Sequence, residues 1–181
     1  MSIPRDRFAE GMTWDDWVEM QGTRGPEWQI RYDEAALGEL RADFQDVPTP
    51  RFVFCIFDPA NADSEATVPL VVKACDQAGV AGGVDVRLFP ADLHPDLVDQ
   101  FRTDDEITPT TCVVFDQGWI QVGLWRGMTG LRPGGDPERE KETLRDLLEA
   151  LRGQPHAPWR APRYISGHLQ KQAERSAEGA P

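Results

Sequence analysis

The 181 residues, 40% of them apolar, suffice for one domain with a real core plus short additions. Nineteen Lys and Arg against 31 Asp and Glu leave a formal net charge of −12, which argues against nucleic acid or an anionic membrane as partner. Three cysteines at Cys55, Cys75 and Cys112 match neither a zinc spacing nor a disulfide framework, and no stretch approaches the roughly twenty apolar residues of a membrane span.

The first dozen residues are charged and lack the apolar run of a signal peptide, so a cytoplasmic location is expected. From Arg152 onward five basic residues face two acidic ones, making the tail about +3 and the rest about −15.

In chain order, Thr13 reads as the N-cap of a short amphipathic helix with Trp14, Trp17 and Val18 on one face. Pro26 suits the first turn of a second helix, predicted to run to about Phe44. There Trp28, Tyr32, Ala36, Leu40 and Phe44 recur every four residues, a stripe expected to pack on the rest of the molecule. Val47-Pro-Thr-Pro50 ends it.

Phe52–Phe57 is apolar at every position, as in a strand covered on both faces. A helix from Asp63 to Gly79 follows, then a strand over Val84–Phe89. His94-Pro95 opens a helix burying Leu97, Val98 and Phe101. Thr110–Phe115, a turn at Asp116-Gln-Gly118 and Trp119–Trp125 read as a hairpin. Asp136-Pro137 caps a last helix carrying Leu144, Leu147, Leu148 and Leu151 on one face. Two strands joined through a helix should be parallel, so the pattern predicts an α/β domain with a mixed sheet of about four strands flanked by helices. The expected division is a helical extension over 1–50, a sheet domain over 51–152, and a Pro-rich, partly mobile tail over 153–181 with Trp159 and Tyr164 between its prolines.

Three local signals from Arg51 to Arg152 resemble the thioredoxin family. An apolar strand ends in Asp58-Pro59 directly before a helix; Pro69 stands inside that helix; and Ile107-Thr108-Pro109 is similar to the family's cis-proline signature. The preface Gly11-Met-Thr-Trp-Asp-Asp-Trp and the later Thr67-Val68-Pro69 resemble a bacterial branch with N-terminal helices, whose active segment commonly reads Trp-Cys-Gly-Asp. The resemblance implies a thioredoxin-like fold and a groove where the residue before the proline pairs with an extended peptide. It also implies a redox dithiol. Here those positions read Asn61, Ala62, Asp63 and Ser64.

Dithiol exchange needs a thiolate, which the family seats on a helix N-terminus. Asn61 cannot form one, but it is a good helix cap. Ser64 has no histidine near it in sequence to activate it. If the strand aligns without a gap, Cys55 falls where many thioredoxins bury a proton-shuttling aspartate, and Cys112 stands three residues past Pro109. These two are the possible thiols of a cryptic redox couple, or else two small core residues. Asp58, Asp63, Glu65 and Asp92 match no metal-ligand spacing and read as caps and solvated charges.

The expected function is therefore a redox-inactive protein- or peptide-binding module, without cofactor or metal. Its groove would be lined by Asp58, Pro59, Asn61, Asp63 and Ser64 on one side and Thr108 and Pro109 on the other. The alternatives are a thiol-disulfide oxidoreductase using Cys112 or Cys55, and a protein that binds a small thiol.

Overall fold

The computed structural model describes residues 3–80, 82–101, 108–127, 131 and 135–153. The expected tail from residue 154 onward, with Trp159 and Tyr164, lies outside the described residues, as does Ile107 of the proline motif.

The chain begins with a 3-10 turn over Arg5–Glu10, then forms helices α1 (Trp14–Met20), α2 (Gly25–Glu34) and α3 (Arg41–Gln45). Strand β1 (Arg51–Phe57), helix α4 (Ala62–Asp76), strand β2 (Val84–Pro90) and helix α5 (Pro95–Phe101) follow. Strands β3 (Thr110–Phe115) and β4 (Gln121–Arg126) form a hairpin, and α6 (Pro137–Arg152) closes the order. The sheet runs β2-β1-β3-β4. β1 pairs in parallel with β2 and antiparallel with β3, and β4 is antiparallel to β3. The chain is thus mixed α/β around a four-stranded sheet. Among the described residues no helix is long and apolar enough to cross a membrane.

Strand alternation divides the core into two layers. Val53, Cys55, Phe57, Cys112 and Val114 face a layer completed by α4, α6 and the N-terminal helices, which contribute Trp17, Trp28 and Phe44. Phe54, Ile56, Val113 and Phe115 face a second layer with Ile3, Phe8 and Leu97. Residues 3–50 therefore serve both faces. Ile3 and Phe8 pack beneath the sheet, Met12 crosses its edge by pairing with Leu88, and Trp17 enters the layer above.

Capping at both ends of the domain follows from sequence. Thr13 and Asp16 form a reciprocal capping box on α1. Asp136 caps α6, and Gly153, in the left-handed region at φ 56°, ends it. Leu144, Leu147, Leu148 and Leu151 are buried as expected. Gly123 of β4 lies directly under that helix: a Cβ there would sit 2.1 Å from the Ala150 carbonyl oxygen.

Two expectations need correction. The helix over 26–44 is not continuous. Ala35 turns extended (ψ 131°), and Gly38 at φ 54° lets the chain reverse before a 3-10 turn and α3. Leu37 then enters the core and Ala36 stays exposed. Trp119 is not the start of β4. It holds a left-handed φ of 62° in the turn, stacks on Phe115 with centroids 4.8 Å apart, and donates its indole N–H to the Ile3 carbonyl at 2.7 Å.

Candidate functional site

The corner where β1 meets α4 gathers most of the residues singled out in sequence. Just past the end of β1, the Asp58 N–H donates to the Pro109 carbonyl at 2.9 Å, so the two halves of the motif are in direct contact. Asp58 Oδ1 accepts the Ala60 N–H at 2.9 Å, turning the chain toward the helix. Asn61 then caps α4: its side-chain oxygen accepts the Asp63 N–H at 2.8 Å. The head of α4 thus carries a neutral amide already engaged with the helix.

Ser64 does not line an open groove. Its side chain is completely buried, and Oγ donates to the Pro109 carbonyl at 2.7 Å while accepting from Thr110 Oγ1 at 3.3 Å. Three residues past the cap, it points inward from the first turn and fastens the helix to the start of β3. Pro109 is buried too. The cis peptide bond recorded among the described residues is Thr49–Pro50, in the linker before β1, rather than Thr108–Pro109. The surface at this corner is consequently made by Asp58, Pro59, Asn61, Asp63 and Thr108, with Ala62 exposed on the helix.

Below that surface lies a cavity of about 30 Å³, large enough for a water molecule. Asp58 and Thr108 form part of its wall, together with Ala91, Val98, Phe101 and Thr111. The last four were not singled out as site residues, because only the sheet order brings α5 beside the start of β3. Arg126, opposite Thr111 on β4, donates to the Phe101 carbonyl at 3.4 Å, where a cation suits the C-terminal end of α5.

On the other flank, Glu65 is clamped by two arginines of the N-terminal helices. Arg31 Nη1 meets Oε2 at 2.8 Å, and Arg24 pairs with Oε1. Burial alone would raise the Glu65 pKa, but the hydrogen bonds and charges of Arg31 and Arg24 outweigh it and hold the carboxyl below its ordinary value. This engagement leaves Glu65 unsuited to the metal-ligand role weighed in sequence.

The three thiols converge elsewhere. Cys55 and Cys112 are directly opposed across β1 and β3, and Cys75 of α4 packs in the same layer. All are free and buried. Burial pushes the Cys75 and Cys112 thiols well above their ordinary range, with Cys55 adding to the effect on both. A thiol so placed is a poor nucleophile. The corner offers hydrogen-bonding groups, two carboxylates and a small cavity, and no nucleophile–base pair is assembled there among the described residues.

No family model matches the chain, and no curated protein matches it. Among solved structures, the chain is similar to a protein of unknown function from Pseudomonas aeruginosa, with a TM-score of 0.56 and 13% identity over 82% of this chain and 93% of that one. An HIV epitope-scaffold gives a TM-score of 0.54 and 13% identity, covering 84% of this chain and 93% of the other. At such identity these likenesses show a shared fold and nothing of activity.

Proposed function

We propose that this is a thioredoxin-like protein without dithiol chemistry, acting as a protein- or peptide-binding module at the β1–α4 corner. The element order from β1 to α6 and the mixed sheet support the thioredoxin-like reading, as does Pro69 within α4. The observation that carries the functional reading is Asn61: its side chain caps the helix start where redox relatives seat a reactive sulfur. With Cys55 and Cys112 wholly buried, the oxidoreductase alternative has no accessible thiol to work with.

A partner strand would approach Thr108 and meet Asp58, Asn61 and Asp63, so a segment carrying Lys or Arg is favoured. The buried Ser64–Pro109 bond acts as the rigid floor of that surface. The test compares captured partners for the wild type and Asp63→Arg. Selective loss of partners in the variant supports the corner, and identical partner sets refute it. In parallel, insulin-disulfide reduction should stay at background. Turnover that disappears in Cys112→Ser would replace this reading with an oxidoreductase.

A further inference from the structure

A second recess lies away from that corner, where α1, α2 and the end of α4 meet the outer edge of the sheet. Its volume is about 350 Å³, within the range of small-ligand sites. Trp14 and Tyr32 stack along one wall with centroids 5.4 Å apart, and Asp15, Asp76 and Asp85 approach from three different elements. The remaining wall is the free edge of β2. Leu88 turns its N–H and carbonyl outward to Met12, and strand alternation turns those of Val86 the same way.

Hydrogen-bond accounting of the side chains narrows the ligand chemistry. Each donor side chain of the wall already gives a bond to a neighbour. The Trp14 indole N–H reaches Gln29 at 3.0 Å, and the Gln29 amide reaches Asp33 at 2.9 Å. The Tyr32 hydroxyl reaches Asp76 at 2.7 Å, and Thr13 reaches Asp16 at 2.7 Å. What remains is mainly acceptors, namely carboxylate oxygens and the Val86 carbonyl, beside an aromatic face, with the outward Val86 N–H as a main-chain donor among them. Two cations border the recess. Lys73 lies 4.3 Å from the Tyr32 ring centre, and Arg87 meets Asp85 at 3.2 Å. Lys73 occupies the tyrosine rather than Trp14, and a partly exposed pair such as Arg87–Asp85 is weak enough to be exchanged. The recess keeps an excess of negative charge.

We propose that this recess binds a small organic cation bearing ammonium or guanidinium groups. Its charged head would lie against the Trp14 ring and bond Asp15 and Asp85, with the Val86 carbonyl as a further acceptor.

Calorimetric titration with spermidine and with agmatine tests this. Sodium chloride at matched ionic strength and uncharged 1,6-hexanediol serve as comparators. Saturable one-to-one binding is expected for the cations, weakened about tenfold in Trp14→Leu and in the Asp15→Asn, Asp85→Asn double variant. The double variant keeps the test valid if Trp14→Leu fails to fold. Heats that merely follow ionic strength, or affinity unchanged in the folded double variant, would overturn the proposal. Asp63→Arg at the β1–α4 corner should leave this binding intact. Loss of binding there would move the ligand to the corner and refute the recess.

Discussion

Arg31 donates to the main-chain carbonyl of Glu65 at 3.3 Å, the carbonyl that Pro69 leaves without its partner four residues on. A proline inside a helix removes one N–H and costs about 3 kcal/mol unless the freed group is satisfied. Here a guanidinium from α2 supplies the donor and pairs with the Glu65 carboxylate through the same nitrogen. Arg31→Met should therefore destabilise the fold by about 2 kcal/mol, measured by urea unfolding. In a Pro69→Ala background the loss should shrink, because the helix then satisfies its own carbonyl. A double-mutant cycle with no coupling would disprove the arrangement.

Replacing Asn61 by Ala removes the α4 cap and should cost about 1 kcal/mol. Asn61→Cys should instead create a thiol activated by the helix N-terminus. Its alkylation by iodoacetamide at neutral pH should be far faster than in the wild type, whose three thiols should react only after denaturation.

Ser64→Ala should cost about 2 kcal/mol: the Pro109 carbonyl keeps its bond from the Asp58 N–H, but the buried Thr110 hydroxyl loses its acceptor. Gly123→Ala should be worse, at about 3 kcal/mol, because the new methyl meets rigid backbone of α6. Chemical denaturation of the two variants side by side checks the ranking.

His94 links the first 3-10 turn to α5: its Nδ1 lies 3.2 Å from Arg7, which also holds Asp96 at 2.8 Å and pairs with Glu10. Burial, and then the Arg7 charge, lower its pKa from 6.5, against the opposing pull of Asp96 and Asp92. The unfolded chain thus takes up this proton first as the pH falls. Stability should be undiminished above about pH 6.5 and decline as pH falls from there through the lowered folded value. In His94→Gln, whose amide oxygen can still accept from Arg7, that decline should disappear. Denaturation midpoints from pH 7.5 to 5 give the answer, and parallel curves for both proteins would rule it out.

Much of the architecture was legible in the chain. The apolar run at β1, the Asp136 and Gly153 brackets of α6 and the leucines between them each state a local preference that the tertiary structure keeps. The break at Ala35 was not legible, because the four-residue stripe continues straight through it and only packing selects Leu37 over Ala36. At the candidate site, the Asn61 cap could be read from residue type and place. The inward turn of Ser64 could not, since it depends on where β3 lies. Arg31 was hidden for the same reason: Pro69 announces an orphaned carbonyl without naming its donor. The recess beside β2 draws on four segments scattered from Thr13 to Val86, and no local window contains it.

The path of the first fifty residues has a consequence for how small this molecule can be made. Because the leading segment passes from beneath the sheet, around β2 at Met12, to the layer above, it works like a hem folded over a raw border. Trimming the polypeptide at the apparent boundary before Arg51 would unroof both layers at once and bare an adhesive rim of main chain. The shortest version that folds should retain Ile3.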